Sequence, residues 1–139
     1  AGKPEAMAAA HGAFGTRAGV FFQAQDDLLD LVGAKGRGFL GSDIGEGKIS
    51  YPVAWAATHA PASQVHELMQ IIRAPREDTT PEMITEGLRL LTETGAIDAT
   101  ARWLRQEAVE LLAATEGQVV PGLMDKFLEP VADALGVAP

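Results

Sequence analysis

Apolar positions recur along this chain at helical spacing, and no stretch shows the strict alternation of a half-buried strand. From Pro4 to Val32 the pattern predicts one long helix, or two running on, with Pro4 near the first turn. Ala8, Ala9, Gly12, Gly15 and Gly19 make this run rich in small residues. Each interior Gly costs about 1 kcal/mol of helix propensity relative to Ala, so the run predicts close approach of a neighbouring helix. Gly33 to Lys48 turns polar and glycine-dense and predicts a flexible loop whose amides can approach an anion. Ile49 to His59 resumes as a helix, with Pro52 tolerated in its first turn and Trp55 packing.

Pro61 breaks that run, and Ser63 to Arg73 gives a short helix with Val65, Leu68, Met69 and Ile72 on its apolar side. After a polar connection from Ala74 to Thr80, Thr79 or Thr80 caps a helix with Pro81 and Glu82 in its first turn. Met83, Ile84, Leu88 and Leu91 form its stripe, and Gly95 ends it. Ala96 to Ala114 carries Ile97, Ala101, Leu104, Ala108, Leu111 and Leu112 on one face, with Trp103 a core or interface residue. A last short helix runs from about Val120 to Leu135. The expected fold is all-α, a single region over residues 1–139.

Composition narrows the function classes. The 139 residues allow one domain with a real core, and 47% hydrophobic against 22% charged residues reads as soluble and globular. No apolar run approaches the roughly 20 residues that span a bilayer, and no leader pattern is visible, so a cytoplasmic protein without a transmembrane segment is expected. The absence of Cys excludes disulfides and thiolate metal sites. A net charge of −8 argues against nucleic acid as a partner, because phosphate backbones need a basic surface. A site for an anionic substrate must then be assembled locally, from a metal or a few cations.

The chemistry concentrates between Phe21 and Gly33, where Asp26, Asp27 and Asp30 interrupt an otherwise apolar run. In a helix Asp26 and Asp30 share a face, with Asp27 beside them. Crowded toward a helix C-terminus, each acid is unfavourable by roughly 0.3–1 kcal/mol near the last turn. A bound cation is the simplest offset, and an all-oxygen cluster suits Mg²⁺ better than zinc. A solvated acidic face is the competing reading of the same spacing. The polar run Gly41-Ser42-Asp43-Ile44-Gly45-Glu46-Gly47-Lys48 that follows favours the metal. His11 has no second His nearby at ligand spacing and reads as a packing or surface residue, and His66, in phase with neither face of its helix, is assigned no role.

Phe-Gln-x-x-Asp-Asp-x-x-Asp (Phe22 to Asp30), followed by Gly-Ser-Asp-Ile-x-x-Gly-Lys-x-x-Tyr-Pro (Gly41 to Pro52), resembles the second aspartate-rich region of trans-isoprenyl diphosphate synthases. Thr94 to Arg102, Thr-Gly-Ala-Ile-Asp-x-x-x-Arg, is similar to the helices that follow in that family. The resemblance implies the C-terminal part of the isoprenoid synthase helical bundle. It further implies a prenyltransferase that ionises an allylic prenyl diphosphate for attack by isopentenyl diphosphate, with Mg²⁺ neutralising the leaving group.

By resemblance, Asp26 is the foremost metal ligand, and Asp27 and Asp30 are ligands or hold coordinated water. Lys48 contacts the allylic diphosphate, Gln23 faces the same site, and Asp43 orients Lys48 or a metal-bound water. Arg37 stands where the family carries Lys, in a segment one residue longer than usual, and can still serve phosphate oxygens. The family's first Asp-rich motif lies in an N-terminal half not represented here. The expectation is therefore a half-domain, inactive without that half as a separate or cleaved chain, the complete unit forming a homodimer. The alternative is a non-catalytic regulatory or structural subunit of a heteromeric synthase.

Overall fold

The computed structural model describes residues 2–33 and 39–114, together with Glu129. Lys35, Arg37 and the helix expected over Val120 to Leu135 lie outside the described residues. Six α-helices are found within them: α1 (Gly2–Val32), α2 (Ser42–Gly45), α3 (Tyr51–His59), α4 (Ala62–Ile72), α5 (Pro81–Glu93) and α6 (Ala96–Ala114), with a 3₁₀ turn at Arg76–Asp78 before α5. The described residues contain no strand, as the apolar spacing predicts. None of their helices is long and apolar enough to cross a membrane.

Local chemistry sets most of these boundaries. Thr80 caps α5, its hydroxyl accepting from Met83 N at 3.3 Å, with Pro81 following at the position that needs no amide hydrogen. Ser50 precedes α3, and Pro52 sits in the first turn, where a missing N–H costs nothing. Gly95 separates α5 from α6 with φ 78, a conformation that admits two helices end to end with almost no loop.

The core has two parts. Ile44, Val53, Leu68, Ile71, Leu90 and Leu91 bring α2, α3, α4 and α5 together. Phe21, Ala24, Leu28, Ala101, Leu104 and Ala108 join the second half of α1 to α6. The burial of Leu68 and Ile72 in α4, and of Ala101, Leu104 and Leu111 in α6, follows the expected stripes. Ile71 and Leu90 are buried beyond those stripes, because α4 and α5 are covered on more than one side.

Two expectations need correction. The first helix is a single run, but a Cβ placed on Gly12, Gly15 or Gly19 would meet nothing within 4 Å. Among the described residues before Phe21 none is buried, so close approach there is not made by the described part of this chain. The second concerns the loop. From Gly41 onward it is ordered, and the turn of helix α2 is too short to announce itself by periodicity.

Candidate diphosphate and metal site

Asp27 is the centre of the site. It is 3% exposed and accepts three hydrogen bonds. Lys48 Nζ donates to Oδ1 at 2.7 Å, Gln23 Nε2 to the same oxygen at 3.0 Å, and the Tyr51 backbone N–H to Oδ2 at 2.8 Å. The last donor is one of the amides that a helix N-terminus cannot satisfy internally, so α1 caps α3 with a side chain.

Asp30, one turn on, performs the same service for α2. Ser42 Oγ donates to Oδ1, and the Asp43 backbone N–H donates to Oδ2 at 2.9 Å. The Gly41 N–H meanwhile reaches the Asp30 carbonyl at 2.8 Å. Of the three acids only Asp30 falls in the last turn of α1, which holds no basic residue. Its unfavourable position against the helix dipole is offset by these two donors from α2.

Lys48 is delivered by the turn that follows. Its backbone N–H closes on the Asp43 carbonyl at 2.9 Å, and its Nζ donates to Asp43 Oδ2 at 2.9 Å. Gly47 makes the turn possible. It adopts φ 70, and a Cβ there would lie 2.7 Å from the Ile72 carbonyl oxygen, a backbone atom that cannot yield. Burial by itself would lower the Lys48 pKa, but the hydrogen bonds it donates to Asp27 and Asp43 outweigh this and raise it above the usual lysine range. Burial raises the Asp43 carboxyl above its ordinary value, partly opposed by the Lys48 hydrogen bond and reinforced by the Asp30 charge.

Asp26 differs from both neighbours. It is exposed, and no described residue bonds to it. It points about 100° around the helix from Asp27. Among the described residues no group of three or more His, Asp or Glu side chains is arranged to hold a metal ion alone. The structure therefore joins Gln23, Asp27, Asp30, Asp43 and Lys48 in one hydrogen-bonded network and leaves Asp26 free at its edge.

Two members of this network were not apparent from residue type. Ser42 lies within the singled-out polar run, but its hydroxyl role depends on the turn of α2. Tyr51 acts through its backbone, which no reading of side chains reports. Beside Asp27 opens a groove of about 440 Å³, lined by Thr16, Gly19, Val20, Gln23, Ala24, Ile49, Ser50, Tyr51 and Ala54 as well as Asp27. Its walls are mostly apolar, and of the acid–lysine network Gln23 and Asp27 line it. The flanking Val20 and Ile49 are 48% and 57% exposed.

Comparison with known proteins identifies the family. A family model described as polyprenyl synthetase matches residues 1–91. The chain is 33% identical over 100 residues to a sesterterpene synthase of Neocamarosporium betae, covering 68% of this chain and 14% of that protein. It is 34% identical over 123 residues to a geranylgeranyl pyrophosphate synthase of Aspergillus fumigatus, covering 80% of this chain and 32% of the other. With the octaprenyl diphosphate synthase of Haemophilus influenzae the identity is 31% over 119 residues, 84% of this chain and 35% of that one. The matched part thus spans about a third or less of these curated relatives. No solved structure matches the chain significantly. With the family match covering the whole acid–lysine network, this chain belongs to the polyprenyl synthetase family.

Proposed function

We propose that this chain supplies the second aspartate-rich part of a prenyl diphosphate synthase site, where Mg²⁺ and Lys48 together hold the diphosphate of an allylic substrate. The observation that carries this reading is the division of labour among the acids. Asp27, Asp30 and Asp43 are spent on positioning, whereas Asp26 has a carboxylate to offer. Mg²⁺ is typically held by one or two carboxylates together with substrate phosphates. One exposed carboxylate with no partner among the described residues fits that habit.

The charge balance explains why a metal is needed. Among the described residues Lys48 is already paired with Asp27 and Asp43, with Asp30 bonded to the Asp43 amide, so a diphosphate would be repelled without divalent cations. Lys48 still has capacity for it. An ammonium has three donors, two go to Asp27 and Asp43, and the side chain is 38% exposed. Its remaining N–H can meet a phosphate oxygen while the salt bridges stay in place. When bound, Mg²⁺ supplies neutralisation of the leaving diphosphate. This chain's own residues orient Lys48 through Asp27 and Asp43, and the apolar groove beside Asp27 shields a prenyl tail from water. Gln23 joins the same cluster through Asp27, and Arg37, outside the described residues, is proposed as a further phosphate contact from the family resemblance.

Condensation with isopentenyl diphosphate would further require the first Asp-rich motif, from another segment or chain, in a complete unit that pairs as a homodimer. Calorimetric titration tests the core of the proposal. Inorganic pyrophosphate alone should not bind, pyrophosphate with Mg²⁺ should, and Asp26→Asn should remove the response. Equal binding with and without Mg²⁺ would overturn it.

A further inference from the structure

The Tyr51 ring is stacked on the indole of Trp103, with centroids 4.7 Å apart and planes 26° from parallel. Tyr51 is the first residue of α3, and its backbone N–H is the donor to Asp27. One residue thus ties α6 through its ring to α1 through its amide. The other side of the junction is closed by Glu107, one turn beyond Trp103 on α6. Its carboxylate accepts from Arg17 Nε of α1 at 2.7 Å.

We propose that Trp103 is a positioning residue for the acid–lysine cluster, acting through Tyr51. The first-turn amides of a helix lack internal partners, so nothing within α3 fixes where the Tyr51 N–H points. Pro52 follows at once and offers no amide of its own. The stack on Trp103 sets the lateral position of that turn, and the turn sets Asp27 Oδ2. Asp27 Oδ1 then holds Lys48. The sequence gives no sign of this, since Trp103 and Asp27 lie on different helices far apart in the chain. The inference rests on the reading of the cluster as a diphosphate site only for its functional consequence.

The test uses the full chain with Trp103→Leu, which keeps apolar volume but removes the stacking face, and Trp103→Phe, which restores a ring. Two readouts are needed: amide hydrogen exchange at Tyr51 relative to Leu90, deep in α5, and calorimetric affinity for Mg²⁺ with inorganic pyrophosphate. Trp103→Leu should speed exchange at Tyr51 while Leu90 is unchanged. It should weaken Mg²⁺–pyrophosphate binding by roughly 3- to 10-fold, the range that an aromatic pair is worth. Trp103→Phe should recover most of both.

If Tyr51 remains as protected as in the wild type, or if Tyr51 and Leu90 lose protection together, the positioning role is overturned. Failure of the wild-type chain to bind Mg²⁺–pyrophosphate overturns the site reading instead. The exchange comparison still decides the role of Trp103 in that event.

Discussion

Exchanging Asp27 for Asn separates the positioning acid from the free one. Asn is nearly the same shape, but it has one acceptor oxygen where Asp has two. Asp27 Oδ2 faces the Tyr51 N–H, and Oδ1 faces Lys48 Nζ and Gln23 Nε2, all of them donors. If the Asn carbonyl serves Tyr51, its NH₂ confronts Lys48. If it turns to Lys48, its NH₂ confronts a buried backbone donor. Either way one donor at a site 3% exposed is left unmet, at about 1–3 kcal/mol.

Two features moderate this cost. Gln23 can flip its amide, and Lys48 retains Asp43 and partial access to water. The expected destabilisation of Asp27→Asn is therefore about 2 kcal/mol. Asp26→Asn, at an exposed carboxylate with no partner among the described residues, should stay within about 0.5 kcal/mol of wild type yet abolish Mg²⁺–pyrophosphate binding. Urea unfolding followed by circular dichroism, with calorimetry on the same samples, checks both. A neutral Asp27→Asn, or an Asp26→Asn costing more than about 1 kcal/mol, would refute the division of roles.

Other substitutions probe the supports. Because folding raises the Lys48 pKa, its contribution is fully present below the ordinary 10.5 and is lost as pH rises through the folded value. The stability difference between wild type and Lys48→Met should accordingly shrink in alkali above that point, and a difference independent of pH would contradict the clasp. Gly47→Ala should cost upwards of about 2 kcal/mol, combining a left-handed backbone with the clash at the Ile72 carbonyl, and should weaken Mg²⁺–pyrophosphate binding through Lys48. Thr80→Ala should cost about 1 kcal/mol for the lost cap and leave that binding unchanged, a control read by the same titration.

Helices whose signals are local were legible in the sequence. α6 begins at the expected residue, and α5 starts at the Thr80-Pro81 cap. The three acids could also be found, because carboxylates in an apolar run are conspicuous. Their separate duties could not. Which oxygen meets Lys48 and which meets an amide depends on how α2 and α3 dock against α1, and α2 is held together by Asp30 rather than by its own four residues. The dipole argument for all three acids also overreached, since α1 continues to Val32 and leaves Asp26 and Asp27 short of its last turn. The small residues of α1 mislead for a different reason. A Gly allows close approach, but composition does not say which surface will come.

The double grip of Asp30, carbonyl to Gly41 and carboxylate to Ser42 and Asp43, anchors both edges of the connection after α1 at one residue. Whatever number of residues links Gly33 to Gly41, Lys48 is reached from the same fixed point. Insertions there should be inexpensive, since doubling a loop adds only about 0.6 kcal/mol of closure entropy. Length in this connection can therefore change at small cost while Lys48 keeps its place.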